Sequence, residues 1–439
     1  MDTNRILNKL GVEALNQMQE DVHEAILHTD KDVVVLSPTG TGKTLAYLLP
    51  VVQRLDLTSD EVQAVVLVPG RELAVQSALV MKDMGSGFRA MALYGGRPTM
   101  DEHRQLRDVK PQILFATPGR LNDHIDKGNF LYDAVKWLVI DEFDKCLAMG
   151  FHDEMGDVLS KLPSLERRIL LSATDADEIP NFVKMGKTIR VDYTDETEQV
   201  SSRINIYKVK SPDKDKLETV SKLLRFLGSQ SSVVFLNYRE SVERTSDYLL
   251  QQHFAVSMFH GGLDQKQRED ALYKFSNGSA NILVCTDLAS RGLDIPDIEN
   301  IIHYHLPETE DAYVHRVGRT ARWDKSGRTF FVLGPGEQVP AYVKDPIEDF
   351  VLPLQLPQPS LPKMTTVYIG KGKKDKISKG DIVGFLCKKG GLLPDEIGRI
   401  DVKERYSYVA VKRERLSTLL QLLRGEKIKG IKTIVEAVK

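Results

Sequence analysis

Short runs of aliphatic residues recur along most of the chain and alternate with segments of helical periodicity. The runs lie at residues 33–36, 64–68, 112–116, 136–140 and 168–171, and again at 232–236, 255–258, 281–284 and 299–303. Short, nearly continuous apolar runs are typical of strands that are buried on both faces of a parallel sheet. Strands that alternate with helices in this way predict right-handed crossovers. The two sets therefore predict an α/β protein with two doubly wound parallel-sheet domains in tandem.

Two segments of different composition separate these sets from each other and from the rest of the chain. Residues 192–199 are polar and lack periodicity, and four prolines lie close together at Pro353, Pro357, Pro359 and Pro362. Proline-rich segments form stiff, extended spacers. We therefore predict domains at residues 1–198 and 199–345, a linker at 346–363 and a small C-terminal domain at 364–439.

The first aliphatic run leads into a glycine loop that has the composition of a phosphate-binding site. The loop reads Ser37-Pro38-Thr39-Gly40-Thr41-Gly42-Lys43-Thr44, and apolar periodicity predicts a helix after it. A strand, a loop and a helix N-terminus direct backbone N–H groups at phosphate oxygens. We expect Lys43 to reach the β- and γ-phosphates and Thr44 to bind Mg²⁺. Ser37 replaces the usual first glycine, so the loop alone is also compatible with a turn before a core helix.

A later aliphatic run, Trp137 to Ile140, ends in two carboxylates. Asp141 is suited to hold the metal, and Glu142 is suited to orient or deprotonate an attacking water. Together with the glycine loop, the pair predicts a site that hydrolyses a nucleoside triphosphate. The string Ser172-Ala173-Thr174 follows another run, and its hydroxyls could either bond Asp144 or cap a helix.

Three arginines recur within the string His315-Arg316-Val317-Gly318-Arg319-Thr320-Ala321-Arg322. The spacing places Arg319 and Arg322 one turn apart on a helix. Such a row can supply cationic groups to a γ-phosphate. The alternative is a solvated basic helix.

Charge is distributed unevenly along the chain. The 439 residues carry a net charge of −2, yet residues 364–439 contain 18 basic and 9 acidic residues and the remainder is strongly acidic. A basic module on an acidic body predicts a polyanionic partner, although a solvated basic face is a common alternative.

Three widely spaced cysteines indicate free thiols in a reducing compartment, and no apolar stretch or signal-peptide pattern indicates a membrane. We therefore expect a cytoplasmic monomer without a membrane partner.

In order and spacing, these strings resemble the DEAD-box RNA helicases over residues 15–335. The resemblance implies two RecA-like domains that bind ATP, Mg²⁺ and single-stranded RNA. Gln19 resembles the glutamine that reads adenine, Asp294 resembles a ribose contact, and Arg316 and Arg319 resemble the interdomain arginines that assist catalysis. The residues of the loop and the strand end resemble the ATP and Mg²⁺ ligands: Ser37, Thr39, Gly40, Thr41, Gly42, Lys43, Thr44 and Asp141. Lys43 and Glu142 resemble catalytic groups.

The same resemblance implies a set of contacts to the RNA backbone. In the first domain the matching residues are Arg71, Gly96, Thr117 and Arg120. In the second domain the matching residues, some of which resemble coupling partners, are Gln265, Arg268, Thr286, Asp287 and Arg291.

Residues 364–439 resemble the RNA-binding domain of DbpA-type bacterial helicases, on strings that include Val367-Tyr368-Ile369-Gly370 and Arg405-Tyr406-Ser407-Tyr408-Val409. The resemblance implies an RRM-like α+β fold and a hairpin target in large-subunit ribosomal RNA. Tyr406 and Tyr408 share one strand face, as a stacking platform requires, although a half-buried pair is as compatible. Lys373 and Lys374, together with Arg405, are expected to contact RNA.

One departure from the family pattern is bulky. Phe143 stands where the family has alanine, so its ring must find space or add strain near Asp144. The sequence predicts an ATP-dependent RNA helicase that locally unwinds short duplexes, is anchored to ribosomal RNA and pre-ribosomal particles, and acts in ribosome assembly. Because of Phe143, an ATP-gated RNA clamp with little productive unwinding is the first alternative, and a DNA translocase is the second.

Overall fold

The computed structural model describes residues 3–38, 40–96, 99–174, 179–194, 204–287, 298–320 and 326–438. These residues form two compact units, the first up to residue 194 and the second from residue 204 onward. Within the described ranges, no helix is long and apolar enough to cross a membrane.

The first unit is a parallel seven-stranded sheet with helices on both faces. Its strands are β1 (Asp32–Leu36), β2 (Ala64–Leu67), β3 (Ala90–Leu93), β4 (Ile113–Ala116), β5 (Trp137–Ile140), β6 (Arg167–Ser172) and β7 (Thr188–Asp192), in the order β3-β4-β2-β5-β6-β1-β7. Its helices are α1 (Thr3–Leu10), α2 (Gln17–Leu27), α3 (Lys43–Arg54), α4 (Arg71–Asp83), α5 (Thr99–Val109), α6 (Pro118–Asp126), α7 (Phe143–Ala148) and α8 (His152–Ser160). The doubly wound fold predicted for this region is therefore confirmed.

Alternate residues of each central strand supply two separate hydrophobic cores. In β1, Val33 and Val35 join the core on one face, while Val34 and Leu36 join the core on the other. Both faces of the strand must therefore be apolar, which explains why the sequence shows a continuous run rather than an alternating pattern. Because all strands are parallel, the loops after β1, β2, β4 and β5 meet at one edge of the sheet, where ligands bind in folds of this kind.

The ring of Phe143 is accommodated within the core of the first unit. Its side chain is 2% exposed and belongs to the same cluster as Ile140 and Cys146. The adjoining contact is retained, since Thr174 Oγ1 donates a hydrogen bond to Asp144 Oδ2 at 3.2 Å. The Phe143 ring is therefore compatible with the contact between Thr174 and Asp144.

The second unit begins with another parallel seven-stranded sheet. Its strands are β8 (Ile204–Lys210), β9 (Ser232–Phe235), β10 (Val256–Phe259), β11 (Ile282–Cys285), β12 (Asn300–His303), β13 (Gly327–Leu333) and β14 (Ile347–Asp349), in the order β10-β11-β9-β12-β13-β8-β14. Its helices are α9 (Leu217–Leu227), α10 (Arg239–Gln251), α11 (Gln265–Ser276) and α12 (Glu310–Val317). The second predicted doubly wound domain is also confirmed.

Strand β14 lies inside the segment that the sequence predicted to be a linker. Ile347–Asp349 pairs with β8, and Phe350 N–H donates to the carbonyl of Lys208 at 2.9 Å. The Phe350 ring then packs edge-on against Tyr207 and Phe330. Residues 347–350 therefore belong to the second sheet rather than to the linker predicted at 346–363.

The C-terminal part of the second unit is a small α+β domain. Its main sheet contains β15 (Met364–Ile369), β16 (Ile397–Val402), β17 (Ser407–Lys412) and β20 (Val435–Ala437), all antiparallel, in the order β16-β17-β15-β20. Helix α13 (Lys379–Lys388) follows β15, and helix α14 (Leu416–Leu422) follows β17, while β18 (Lys427–Ile428) and β19 (Ile431–Lys432) form a short hairpin. The βαββαβ order implied by the resemblance is present.

The small domain packs on helix α11 of the preceding domain through aromatic rings. The rings of Tyr408 and Tyr273 are stacked, with centroids 4.9 Å apart, and Tyr408 is 1% exposed. The Tyr406 hydroxyl donates to Glu269 Oε2 at 2.7 Å, and the Tyr408 hydroxyl donates to the carboxylate of Asp270. These contacts place one face of the β17 strand against α11.

Further polar contacts surround the stacked rings. Asn277 Nδ2 donates to Thr366 Oγ1 at 2.9 Å, and the hydroxyl of Thr366 lies 2.9 Å from that of Ser279. Arg413 Nη2 donates to the carbonyl of Ser279 at 3.0 Å, and the Tyr273 hydroxyl donates to the carbonyl of Arg399 at 2.7 Å. The interface therefore has an aromatic centre and a rim of hydrogen bonds, as stable protein interfaces do.

We predict that Phe143→Ala destabilises the first unit by about 3–5 kcal/mol, since removing a buried ring leaves a cavity. Hydrogen exchange of the β5 amides in the full-length protein measures this loss. Leu131→Ala is the matched control, because Leu131 is 66% exposed and its removal should cost less than about 0.5 kcal/mol. Unchanged β5 protection in Phe143→Ala would show that the ring does not stabilise the core.

We predict that packing of the small domain on α11 weakens as the pH rises through about 6. Burial raises the pKa of Asp270 to about 6. The positive charges of Lys266 and Lys274 oppose this shift, and the negative charges of Glu269 and Asp264 add to it. An acid whose pKa is raised on packing binds more protons in the packed state, so the packed state is favoured below that pKa. Asp270→Asn keeps an acceptor for Tyr408 without the charge, so it should remove this pH dependence.

Energy transfer between dyes on Cys387 and on a cysteine introduced at the exposed position 247 reports this packing. The measurement is made between pH 5 and 8, in a urea concentration at which packed and separated states coexist. Asp247→Cys alone provides the reference protein. An identical pH profile in the protein with and without Asp270→Asn would contradict the assignment of the titration to Asp270.

Candidate functional site

The glycine loop connects β1 to α3 as the sequence predicted. Gly40 and Gly42 adopt positive φ angles of 90° and 86°, which residues other than glycine rarely adopt. Gly42 caps the N-terminus of α3, and Lys43 is the first residue of the helix. The backbone N–H groups at this helix start are therefore available to an anion. Thr39 lies outside the described residues.

The Lys43 side chain folds back onto its own loop. Lys43 is 7% exposed, and its Nζ donates to the carbonyl oxygens of Ser37 at 2.5 Å and Pro38 at 3.2 Å. Burial lowers the pKa of Lys43, while the charges of Asp141 and Glu142 act in the opposite direction. An ammonium held by two carbonyl oxygens of a buried loop is well placed to exchange them for phosphate oxygens, which bind it more strongly.

Two residues of the α2 start support the glycine loop from the side. Asn16 and Gln19 form a capping box, in which Asn16 Oδ1 accepts from the Gln19 N–H and Gln19 Oε1 accepts from the Asn16 N–H. Their amide groups donate to the loop carbonyls of Thr41 at 3.0 Å and Gly42 at 3.2 Å. A Cβ atom at Gly42 would lie 2.4 Å from Gln19 Nε2, and the φ of 86° is strained for any other residue, so both the contact and the backbone favour glycine here. The structure therefore places Gln19 against the predicted ATP loop.

Asp141 and Glu142 follow β5 and are buried at the same edge of the sheet. Asp141 is 2% and Glu142 is 6% exposed, and Asp141 Oδ1 accepts the backbone N–H of Glu142 at 2.9 Å. Burial raises the pKa of Asp141 to about 7, helped by the charge of Glu142 and opposed by that of Lys43. A buried carboxylate with a raised pKa suits a divalent cation, which would supply the missing positive charge. The Asp141 carboxylate and the Thr44 hydroxyl are the oxygen donors that Mg²⁺ prefers.

The first-domain residues predicted to contact RNA cluster at the same carboxyl edge. Arg71 is the first residue of α4, and a Cβ atom on Gly96 would lie 2.9 Å from its Nη1. Thr117 caps the N-terminus of α6. Arg120 Nε donates to the buried Glu102 carboxylate at 2.7 Å, and the Arg120 side chain is 12% exposed. The four residues therefore lie at the carboxyl ends of the neighbouring strands β2, β3 and β4, and Arg120 is paired with Glu102 there.

In the second unit, Gln265 and Arg268 lie in the first turn of α11. Arg268 is 4% exposed, and it donates to the carbonyls of Leu263 at 3.1 Å and Gly261 at 2.7 Å. Gln265 Nε2 donates to Glu269 Oε1 at 3.0 Å. In this structure Arg268 supports the loop before α11 rather than facing solvent. Arg291, Asp294 and Arg322 lie outside the described residues.

In this structure Arg316, one of the predicted catalytic arginines, is bonded to groups of its own domain. The side chain is 0% exposed, and it makes two hydrogen bonds to the Asp287 carboxylate, at 2.5 and 2.9 Å. It also donates to Asn237 Oδ1 and to the carbonyl of His305, each at 2.8 Å. In this structure Arg316 therefore holds the Asp287 carboxylate after β11. A contact from Arg316 to a phosphate would require these bonds to be exchanged.

Arg319, the other predicted catalytic arginine that the structure describes, is also buried. It follows α12 and is 4% exposed, and Thr320 next to it donates to the carbonyl of Ile298 at 2.5 Å. This contact ties the residues after α12 to the segment before β12.

In the small domain, the predicted tyrosine platform is covered, whereas the predicted basic residues are accessible. Tyr406 and Tyr408 do share one face of β17, but helix α11 covers that face, so the predicted stacking platform is not open in this structure. By contrast, Lys373, Lys374 and Arg405 are exposed. The backbone N–H of Lys373 donates to the carbonyl of Lys403 at 2.9 Å, which joins the two loops that carry these residues. The basic side chains therefore form one accessible surface.

Two residues that contact the site were not predicted from the sequence. Asn16 lies next to the glutamine string, yet its amide contact with the loop carbonyl of Thr41 depends on the tertiary fold. Lys145 is 1% exposed, and its Nζ lies 2.7 Å from Glu142 Oε1. The spacing of three residues between Glu142 and Lys145 on a helix start was the available signal.

Three family models match successive parts of the chain. The model for the DEAD/DEAH box helicase matches residues 16–182, the model for the helicase conserved C-terminal domain matches residues 215–324, and the model for the DbpA RNA binding domain matches residues 366–437.

Relatives with the same extent share this arrangement. The ATP-dependent RNA helicase DbpA of Escherichia coli (strain K12) is 35% identical over 437 residues, which cover 97% of this chain and 94% of the relative. The ATP-dependent RNA helicase DbpA of Bacillus subtilis (strain 168) is 29% identical, with 98% and 96% covered. Among solved structures, the DEAD-box helicase Mss116 bound to ssRNA and UDP-BeF matches with a TM-score of 0.70 and 27% identity, over 76% of this chain and 73% of that chain.

Proposed function

Because this chain belongs to the DEAD-box ATP-dependent RNA helicases of the DbpA type, we propose that it uses RNA-stimulated ATP hydrolysis at Glu142 to separate short duplexes in large-subunit ribosomal RNA during ribosome assembly. The observation that carries the proposal is the joint burial of Lys43, Asp141 and Glu142 at the carboxyl edge of the first sheet. One ammonium, two carboxylates and a glycine loop are thereby arranged for a triphosphate and its metal ion.

Each residue of the first unit has a distinct role in this proposal. Gln19 reads the adenine base, while the loop amides and Lys43 bind the phosphates once Lys43 leaves the carbonyls of Ser37 and Pro38. Thr44 and Asp141 hold Mg²⁺, which neutralises phosphate charge when it is bound. Glu142 orients the attacking water and accepts its proton.

The second unit contributes charge and RNA contacts. We assign Arg319 the cationic contact to the nucleotide, with Arg316 holding Asp287 in place. Arg71, Gly96, Thr117 and Arg120 bind the RNA backbone in the first unit. Their second-unit counterparts are Gln265, Arg268 and Thr286, and for Arg268 this requires a rearrangement of the loop that it supports.

The small domain anchors the enzyme to structured RNA in this proposal. Its excess of basic residues and the exposed surface of Lys373, Lys374 and Arg405 suit the phosphates of a hairpin. The match to the DbpA RNA binding domain supports RNA as the partner, and the ribosomal target rests on the resemblance of the sequence to DbpA-type helicases. We assign no RNA contact to Tyr406 and Tyr408, because their rings pack on α11.

The cysteines bear on the compartment in which the protein acts. Cys146, Cys285 and Cys387 are free, which fits a reducing compartment such as the cytoplasm, and we propose that the enzyme acts there as a monomer.

The alternative of an RNA clamp without unwinding rested on strain from Phe143. The accommodated ring and the bond between Thr174 and Asp144 give that alternative no support.

We predict that Glu142→Gln retains ATP binding but lowers the rate of RNA-stimulated ATP hydrolysis by about a hundredfold or more, because the base is lost. Steady-state turnover and ATP affinity are measured on the full-length protein. Glu166→Gln is the matched control, since Glu166 is an exposed residue of the same domain, paired on the surface with Lys136. Wild-type turnover in Glu142→Gln would rule out Glu142 as the base.

We predict that the double change of Lys373 and Lys374 to Ala weakens binding to all structured RNAs and flattens the dependence of log K on log salt by about one to two units. Each neutralised phosphate contact releases counterions, so its loss reduces the slope. The same double change at Lys388 and Lys389, another exposed pair in the small domain, is the control. Equal effects of the two pairs would mean that RNA senses only the net charge of the domain.

A further inference from the structure

Lys145 is more deeply buried than the lysine of the glycine loop. It is 1% exposed, against 7% for Lys43, and lies in the first turn of α7. Its Nζ is 2.7 Å from Glu142 Oε1, and the Glu142 side chain is 8% exposed. Two opposite charges are therefore in direct contact within a site that largely excludes water.

A buried ammonium is costly unless a partner compensates it, so the location of Lys145 requires an explanation. In the second unit, the buried ammonium of Lys216 is compensated by two partners, since its Nζ donates to the Glu337 carboxylate and to the carbonyl of Val332. Lys145 instead contacts the carboxylate that we assign to water activation. Its charge also acts on Lys43 and Asp141, which places it inside the charge cluster of the ATP site.

The backbone at Glu142 fixes the geometry of this pair. Glu142 adopts the left-handed conformation, with φ 54° and ψ 51°, and it caps the N-terminus of α7. This conformation is unfavourable for residues other than glycine by about 1–2 kcal/mol. It starts α7 at Phe143, so that residue 145 lies close to residue 142 across the first turn. The pair is contained in one short segment of the first unit, so no movement of another domain is needed to form it.

We propose that Lys145 is a positioning residue for ATP hydrolysis, which holds the Glu142 carboxylate in a single orientation for the attacking water. The inference rests on the proposed role of Glu142. The ion pair restrains one carboxylate oxygen, so the base does not have to be ordered when the nucleotide binds. Lys145 itself contacts neither nucleotide nor water in this scheme, and no bond to it forms or breaks.

The test compares Lys145→Met and Lys145→Arg in the full-length enzyme at saturating single-stranded RNA. Lys145→Met removes the charge at similar volume, and it should lower kcat for ATP roughly ten- to hundredfold with KM changed less than about twofold, because only the orientation of the base is lost. Lys145→Arg retains a cation and should recover most of kcat. Lys161→Met is the matched control, because Lys161 forms a partly exposed pair with Asp126 in the same unit.

A double variant separates positioning from other roles. If Lys145 acts through Glu142, adding Lys145→Met to Glu142→Gln should lower kcat no further. A further fall in that background, or a rise in KM at constant kcat, would mean that Lys145 acts on the phosphates and would overturn the inference. Wild-type kcat in Lys145→Met would overturn it as well, whereas wild-type turnover in Glu142→Gln would instead refute the proposed function.

Affinity for ADP provides a check on folding. If Lys145→Met no longer binds ADP, Lys145→Gln takes its place, because an amide keeps a hydrogen-bond donor without the charge. Lys145→Gln should then bind ADP normally with kcat between those of wild type and Glu142→Gln. Loss of ADP binding in Lys145→Gln and Lys145→Arg as well would show that Lys145 is needed for the fold alone, and the inference would be wrong.

Discussion

The structure of the ATP site depends on the burial of four charged side chains at one edge of a parallel sheet. Lys43, Asp141, Glu142 and Lys145 are all at most 7% exposed, and each has an opposite charge or a set of carbonyls within the same cluster. Charges in such a site interact strongly because water does not screen them. The glycine loop, the left-handed backbone at Glu142 and the capping box of Asn16 and Gln19 serve to hold these charges in place.

A different constraint governs the C-terminal domain. Its aromatic face is engaged with α11 through the stacked rings of Tyr273 and Tyr408, so the small domain and the preceding sheet are joined by more than the linker. Helix α11 carries Gln265 and Arg268 in its first turn and the tyrosine contacts further along. On the small domain, the basic residues Lys373 and Lys374 are exposed, and in the proposed function they bind RNA in addition to the contacts from the two helicase domains.

In the first sheet, the sequence predicted the central strands but missed the edge strands Ala90–Leu93 and Thr188–Asp192, which are partly exposed. Runs such as 33–36 and 137–140 are apolar on both faces, which makes them recognisable. In the second sheet, the sequence predicted the edge strand at 255–258 but missed the interior strands Ile204–Lys210 and Gly327–Leu333, because polar residues interrupt their apolar pattern. The positions of Lys43, Asp141 and Glu142 were predictable because a linear motif carries them. The partners of Arg316 and Tyr408 in this structure were not predictable, because the contacts with Asp287 and with Tyr273 depend on the tertiary fold.

The most direct test of the proposed helicase function is strand separation by the full-length enzyme on a short RNA duplex that adjoins a ribosomal RNA hairpin. We expect unwinding that requires ATP, depends on the hairpin and is absent for a DNA duplex of the same sequence. ATP hydrolysis stimulated by this RNA without any strand separation would identify an RNA clamp, and equal unwinding of the DNA duplex would identify a DNA translocase. Either result would contradict the assignment of this enzyme as an RNA helicase that acts beside a ribosomal hairpin.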